Sequence, residues 1–84
     1  MRLESAFGEV LRAERKRCGL SQEALALDAG VERNYISLIE LGRNSPSVRI
    51  LFKLCAVLEI TPSQLLANVE EQMRLGQKKR QIKR

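Results

Sequence analysis

In the stretch VERNYISLIELGRNSP, residues 31–46, a helix would gather Asn34 and Ser37 on one face, with Arg33 at its edge. These are side chains that read hydrogen-bonding edges. An Arg guanidinium can donate a bidentate pair to guanine, an Asn amide can pair with adenine, and a Ser hydroxyl can bond to a base or a phosphate. A major groove about 12 Å wide admits one helix, so a short exposed helix carrying such groups near its N-terminus suits it geometrically. The same face also reads as an ordinary solvated polar surface, and composition alone does not decide between the two.

The opposite face of this helix poses a second chemical question. At 100° per residue, Ile36 and Ile39 define an inward side, and Glu40 falls close to it. Asn34, Ser37, Leu38 and Leu41 point the other way, with Arg33 and Tyr35 on the flanks. Upstream, Arg15 continues the stripe of Phe7 and Leu11 at the next i+4 step, which places a cation on an inward face as well. An unpaired buried charge is very costly, so the economical arrangement is that Arg15 and Glu40 meet. The alternative is that both long side chains reach out to solvent.

Other site chemistries lack their residues. The chain has no histidine, which removes His-based triads, His metal ligands and the commonest general base together. It has no Gly-rich phosphate loop and no acidic cluster at metal-site spacing. Cys18 and Cys55 lie far apart and form no CxxC pair, so neither a metal site nor a disulfide frame is expected. The expectation is a non-enzyme with no cofactor and no metal.

Lys and Arg outnumber Asp and Glu by 15 to 10, a net +5 that favours a polyanionic partner or serves only solubility. The 84 residues suffice for one small domain, and 44% hydrophobic with 30% charged residues describes a globular chain. The apolar runs fall far short of the roughly 20 residues that span a bilayer, and the N-terminus carries no signal-peptide pattern. A cytoplasmic, nucleoid-associated protein is expected, with no membrane partner.

The elements that must position these groups read as five helices, an all-α class without strand signals. Gly19, Gly30 and Gly42 each follow a helix-periodic segment where a left-handed cap would fall. The first helix runs from about Ser5 to Cys18. The second is capped by Ser21, with Leu20 and Leu25 at the positions of a hydrophobic staple, and continues through Leu27 to Gly30. The third spans about Glu32 to Leu41. Ser47 caps a fourth through Leu58, whose Leu51, Leu54 and Leu58 face a core. Val48, Ile50, Phe52 and Val57 add apolar surface on a second side, for a partner or for the domain's own core. Thr61, Pro62 and Gln64 open a fifth helix with a capping box, and Ile60 and Leu65 repeat the staple. Leu65, Val69 and Met73 extend its stripe, Gly76 is expected to end it, and QKKRQIKR, with five basic groups and one apolar, reads as a mobile basic tail.

The segments FGEVLRAERKRCGLSQEALALDAGVERNYISLIELGRNSPS and ILFKLCAVLEITPSQLL closely resemble the xenobiotic-response-element (XRE) family of helix-turn-helix DNA-binding domains. Phage Cro and repressor proteins belong to it, as do the small controller proteins of restriction–modification systems. The resemblance covers about residues 5 to 68 and rests on the Arg15 position, GLSQEALA, RNYIS-IE-G and the Pro46-Ser47 helix start, in order. It implies a compact five-helix lambda-repressor-like fold over residues 1–68, with the helix-turn-helix at about 21–41 and residues 69–84 as a C-terminal extension with the basic tail. Helix 3 would be the recognition helix. Arg33, Asn34, Ser37, Glu32 and Leu38 match base-facing positions. Gln22, Ser21, Tyr35, Arg43 and Asn44 match positions at the phosphate backbone, although Tyr35 serves equally as core packing. Arg15 and Glu40 match the family's buried ion pair. Two features depart from the pattern. Glu32 stands where Ser or Thr commonly caps the recognition helix, and it can accept from cytosine or repel phosphates. Leu38 and Leu41 are apolar where relatives are polar, to touch a thymine methyl or a protein.

The resemblance therefore implies a sequence-specific transcriptional regulator of double-stranded DNA, a homodimer on a two-fold symmetric operator, repressing or activating. Activation would come from touching RNA polymerase; the alternative is an antitoxin-type or other protein-interaction module, with a partner such as a toxin, that binds DNA secondarily.

Overall fold

Local capping chemistry opens three of the five helices, and left-handed backbone lies at or just past several of their ends. The computed structural model describes the backbone of residues 1–82 and the side chains of residues 1–76. Its helices are α1 (Leu3–Arg17), α2 (Gln22–Ala29), α3 (Arg33–Glu40), α4 (Val48–Leu58) and α5 (Pro62–Ile82), with no strand among the described residues.

Ser21 Oγ accepts from the Ala24 amide at 3.0 Å, Ser47 Oγ from Ile50 at 3.2 Å, and Thr61 Oγ1 from Gln64 at 3.1 Å, each satisfying an amide that the first turn leaves unpaired. The Gln64 side chain donates not back to residue 61 but forward to Asn68 Oδ1 at 3.1 Å, so Thr61 caps without the expected box. Glu32 opens α3 with no side-chain cap bond. Gly19, Gly30 and Gly42 all take left-handed backbone, at φ 72°, 73° and 77°. α4 ends at Leu58, as read, and its terminus holds Glu59 in that conformation at φ 56° although it is not a glycine.

The core is one cluster fed by every helix. Leu11, Leu25, Ile36, Ile39, Leu54, Leu58 and Leu65 are fully buried, each contributing about 1.5–3 kcal/mol of transfer free energy. α1 packs against α5 and α3, α2 against α3 and α4, and α4 against α5.

The C-terminal half of α5 corrects the sequence reading. Val69 is 2% exposed and belongs to the core, and Met73 packs against the core cluster. Gly76 does not end the helix, which runs on to Ile82 and turns most of the expected basic tail into helix. A glycine inside a helix costs only about 1 kcal/mol relative to Ala, and here a Cβ would come within 3.2 Å of Met1 Cβ, so a packing reason accompanies it. The side chains of residues 77–84, on which the tail's basic character rests, lie outside the described residues. No single helix among the described residues is long and apolar enough to cross a membrane.

Candidate nucleic-acid interface

The α2–α3 unit is closed by a short turn. Gly30 N–H donates to Leu27 O at 3.2 Å and Val31 N–H to Ala26 O at 2.9 Å, which redirects the chain before α3 opens at Arg33. A turn of this length containing a glycine is what joins the two helices of a helix-turn-helix. The resulting α3 is eight residues long, about 12 Å at 1.5 Å per residue.

Its two faces separate cleanly. Ile36 and Ile39 are fully buried, while Arg33, Asn34 and Glu32 are exposed at its N-terminal end. Ser37 and Leu38 are half-buried one turn on, and Leu41 is 63% exposed. Tyr35 is half-buried and packs against the core cluster. Arg43 and Asn44 are exposed in the loop after α3, where Asn44 Oδ1 accepts from the Ser45 amide at 2.9 Å.

The acid at the end of α3 is bound on three sides. Arg15 Nε donates to Glu40 Oε2 at 2.6 Å and Arg15 Nη2 to Oε1 at 3.0 Å, a bidentate fork whose side chains are only 10% and 4% exposed. Arg15 Nη1 donates to the Leu20 carbonyl at 2.8 Å, and Gln22 Nε2 donates to Glu40 Oε1 at 3.0 Å. The hydrogen bonds that Arg15 donates to Glu40 hold its guanidinium above its ordinary pKa against the opposing effect of burial. No buried side-chain nitrogen or oxygen among the described residues lacks a partner.

This cluster ties α1, the start of α2 and the end of α3 together. Gln22 therefore lies at the C-terminal end of α3, a helix length away from Arg33 and Asn34, and one of its N–H groups is engaged within the protein. Ser21 is exposed, with its hydroxyl committed to the cap. Glu32, Arg33 and Asn34 thus cluster at one end of α3, with Ser37 and Leu38 one turn on, and Gln22, Ser21, Arg43 and Asn44 belong to the other end. The Leu20 carbonyl and the Gln22–Glu40 bond escaped the sequence reading, because a helical wheel places side chains on faces and says nothing about which neighbouring helix meets them. Among the described residues, no three His, Cys, Asp or Glu side chains gather as metal ligands would.

Residues 11–65 match the family model described as helix-turn-helix. The chain is 39% identical over 67 residues to the control protein C.MunI of Mycoplasma sp, covering 79% of this chain and 90% of that one. Its fold superposes on the crystal structure of the clp gene regulator ClgR from Corynebacterium glutamicum with a TM-score of 0.92 at 27% identity, covering 98% of this chain and 87% of that one. The biofilm master regulator SinR, crystallised in complex with DNA, superposes with a TM-score of 0.69 at 38% identity, covering 71% of this chain and 97% of that one. Against two longer curated transcriptional regulators the chain spans 40% and 63% of their length.

Proposed function

The chain belongs to the helix-turn-helix family of DNA-binding transcriptional regulators, and on that premise we propose that it reads a specific double-stranded operator, as a homodimer and without catalysis, by laying α3 in the major groove. The observation that carries this reading is the division of α3: Arg33 and Asn34 stand exposed, while Ile36 and Ile39 are fully buried and Glu40 is locked to Arg15. A reading helix has to be rigidly seated and polar outward, and α3 is both.

One such helix contacts too few base pairs for specificity, so two copies would engage half-sites about 34 Å apart, one turn of duplex. The surface that would pair them differs from the one the apolar pattern suggested. Val69 is in the core, and Ile50 and Val57 pack against it, which leaves Val48 at 71% and Phe52 at 57% exposed on one stripe of α4, with Leu66 of α5 at 42%. Leu41, exposed at the end of α3, supports a second reading in which this face meets a partner protein such as a toxin or RNA polymerase.

The test is selection of bound duplexes from a random pool at moderate salt. A recovered motif with two-fold symmetry, bound at least about 10³-fold more tightly than random duplex, supports a dimeric reader. A pool that stays random despite salt-sensitive binding moves the function to the partner-protein reading.

A further inference from the structure

The first helix approaches the last turn of α3 through a residue without a side chain. A Cβ added to Gly8 would stand 2.4 Å from the Ile39 carbonyl oxygen, 2.6 Å from the Glu40 carbonyl oxygen and 2.9 Å from the Glu40 carbonyl carbon. All three are backbone atoms, and no rotamer change moves them aside. Reaching ordinary contact at 3.4 Å would require α1 and α3 to part by roughly 1 Å. The same seam is tight at a second point, where a Cβ on Gly42 would meet Ser5 Oγ at 2.9 Å and Ser5 Cα at 3.1 Å. Seven residues beyond Gly8, Arg15 holds the Glu40 side chain. The end of α3 is therefore gripped by α1 at Ser5, Gly8 and Arg15.

We propose that Gly8 is a positioning residue for sequence readout: by lacking a side chain it sets how far α3 stands from α1, and hence how deeply Arg33 and Asn34 reach. The inference rests on α3 being the DNA-reading helix. Base-edge hydrogen bonds form only over a few tenths of an ångström and a narrow range of angles, so a displacement near 1 Å removes them. Attraction to phosphates acts over a Debye length of about 8–10 Å and survives such a shift. Gly8 thus governs the preference for one sequence over another and leaves general affinity for duplex almost untouched.

The experiment compares the full chain, Gly8→Ala, Gly42→Asn and Val69→Ala on the duplex enriched from the random pool and on a random-sequence duplex, below each variant's melting transition. Val69→Ala loses core volume on α5 and serves as a destabilised control. Gly42→Asn keeps a residue that tolerates left-handed backbone and presses on Ser5 with the smaller overlap. For Gly8→Ala the expected result is at least about tenfold weaker binding to the enriched duplex, the loss of one bidentate base contact, with affinity for the random duplex within about twofold, since the phosphate contribution is kept. Gly42→Asn shows the same selective loss in smaller measure and stands alone should Gly8→Ala not fold. Equal losses on both duplexes, or a specificity ratio no different from that of Val69→Ala, overturn the proposal. If the wild-type chain enriches no duplex, the reading of α3 as a DNA reader fails, and this proposal with it.

Discussion

Gln22 and Arg15 converge on one carboxylate oxygen, each donating to Glu40 Oε1 at 3.0 Å. The residue opening α2 is thereby joined through the last residue of α3 to the cation on α1. A carboxylate that satisfies three donors in a nearly dry site is stabilised by geometry, and removing any member leaves the others exposed to a desolvation cost they no longer offset.

Arg15→Ala and Glu40→Ala should each lower unfolding free energy by about 3–5 kcal/mol, since each strands a buried charge. Replacing both, as Arg15→Met with Glu40→Leu, should recover much of that loss, because the double change strands no charge and leaves only the Leu20 carbonyl and the Gln22 amide to find other partners. Urea denaturation of the three variants measures this. A double replacement no more stable than the singles would show that the pair is solvated in solution.

At the two ends of the reading face, substitutions should differ in kind. If α3 reads bases as proposed, Arg33→Ala removes a donor fork available to a base edge and should cost about 1–3 kcal/mol, relaxing preference at one base position. Arg43→Ala, in the loop after α3, should weaken all duplexes alike and reduce the slope of log affinity against log salt by about 1. Titrations on the enriched duplex, its single-base variants and random duplex across a salt series separate the two. Identical effects on specific and random DNA would remove direct readout by Arg33.

Much of this arrangement is legible in the sequence. The caps at Ser21, Ser47 and Thr61 and the left-handed glycines are local features, decided by the few residues around them. Arg15 with Glu40 was legible because two buried opposite charges have few ways to be satisfied. What stayed hidden depends on the approach of distant segments. Gly8 looks like any helix-interior glycine until Ile39 and Glu40 are placed against it, and Gly76 reads as a stop until Met1 packs there.

Glu59 offers a gain in stability. It holds left-handed backbone at φ 56°, a conformation that costs a residue with a Cβ about 1–2 kcal/mol. Glu59→Gly removes that penalty at the expense of a more flexible unfolded chain, worth about 0.4–1 kcal/mol, so the net expectation is stabilisation by up to about 1 kcal/mol. A higher melting temperature in calorimetry bears this out, and a lower one shows that the Glu59 side chain contributes interactions larger than its backbone strain.

Phe52 tests the proposed pairing surface. It is 57% exposed on α4 beside Val48 and contributes little to the chain's own core. Phe52→Glu should therefore leave the unfolding free energy of the monomer within about 0.5 kcal/mol of wild type and place a charge at the centre of any two-copy contact. Light scattering should then show a dimeric wild type and a monomeric variant, with binding to the two-fold duplex lost in step. A variant that remains a dimer moves the contact to another face.

Cys55 supplies a pH dependence whose sign follows from burial. It is 1% exposed in the core, and desolvation pushes its thiol pKa above the ordinary value. The unfolded chain ionises this thiol from about pH 8.5, while the folded chain keeps it protonated to a higher pH. The unfolded state then binds fewer protons, so stability from this group is fully present below that pH and declines as pH rises, by at most about 1.4 kcal/mol per pH unit. Cys55→Ala lowers stability at every pH by opening a cavity and removes this contribution to the alkaline slope. Urea midpoints at pH 7.5 and 9.5 for the two proteins check it, and parallel declines would show that Cys55 ionises as easily folded as unfolded.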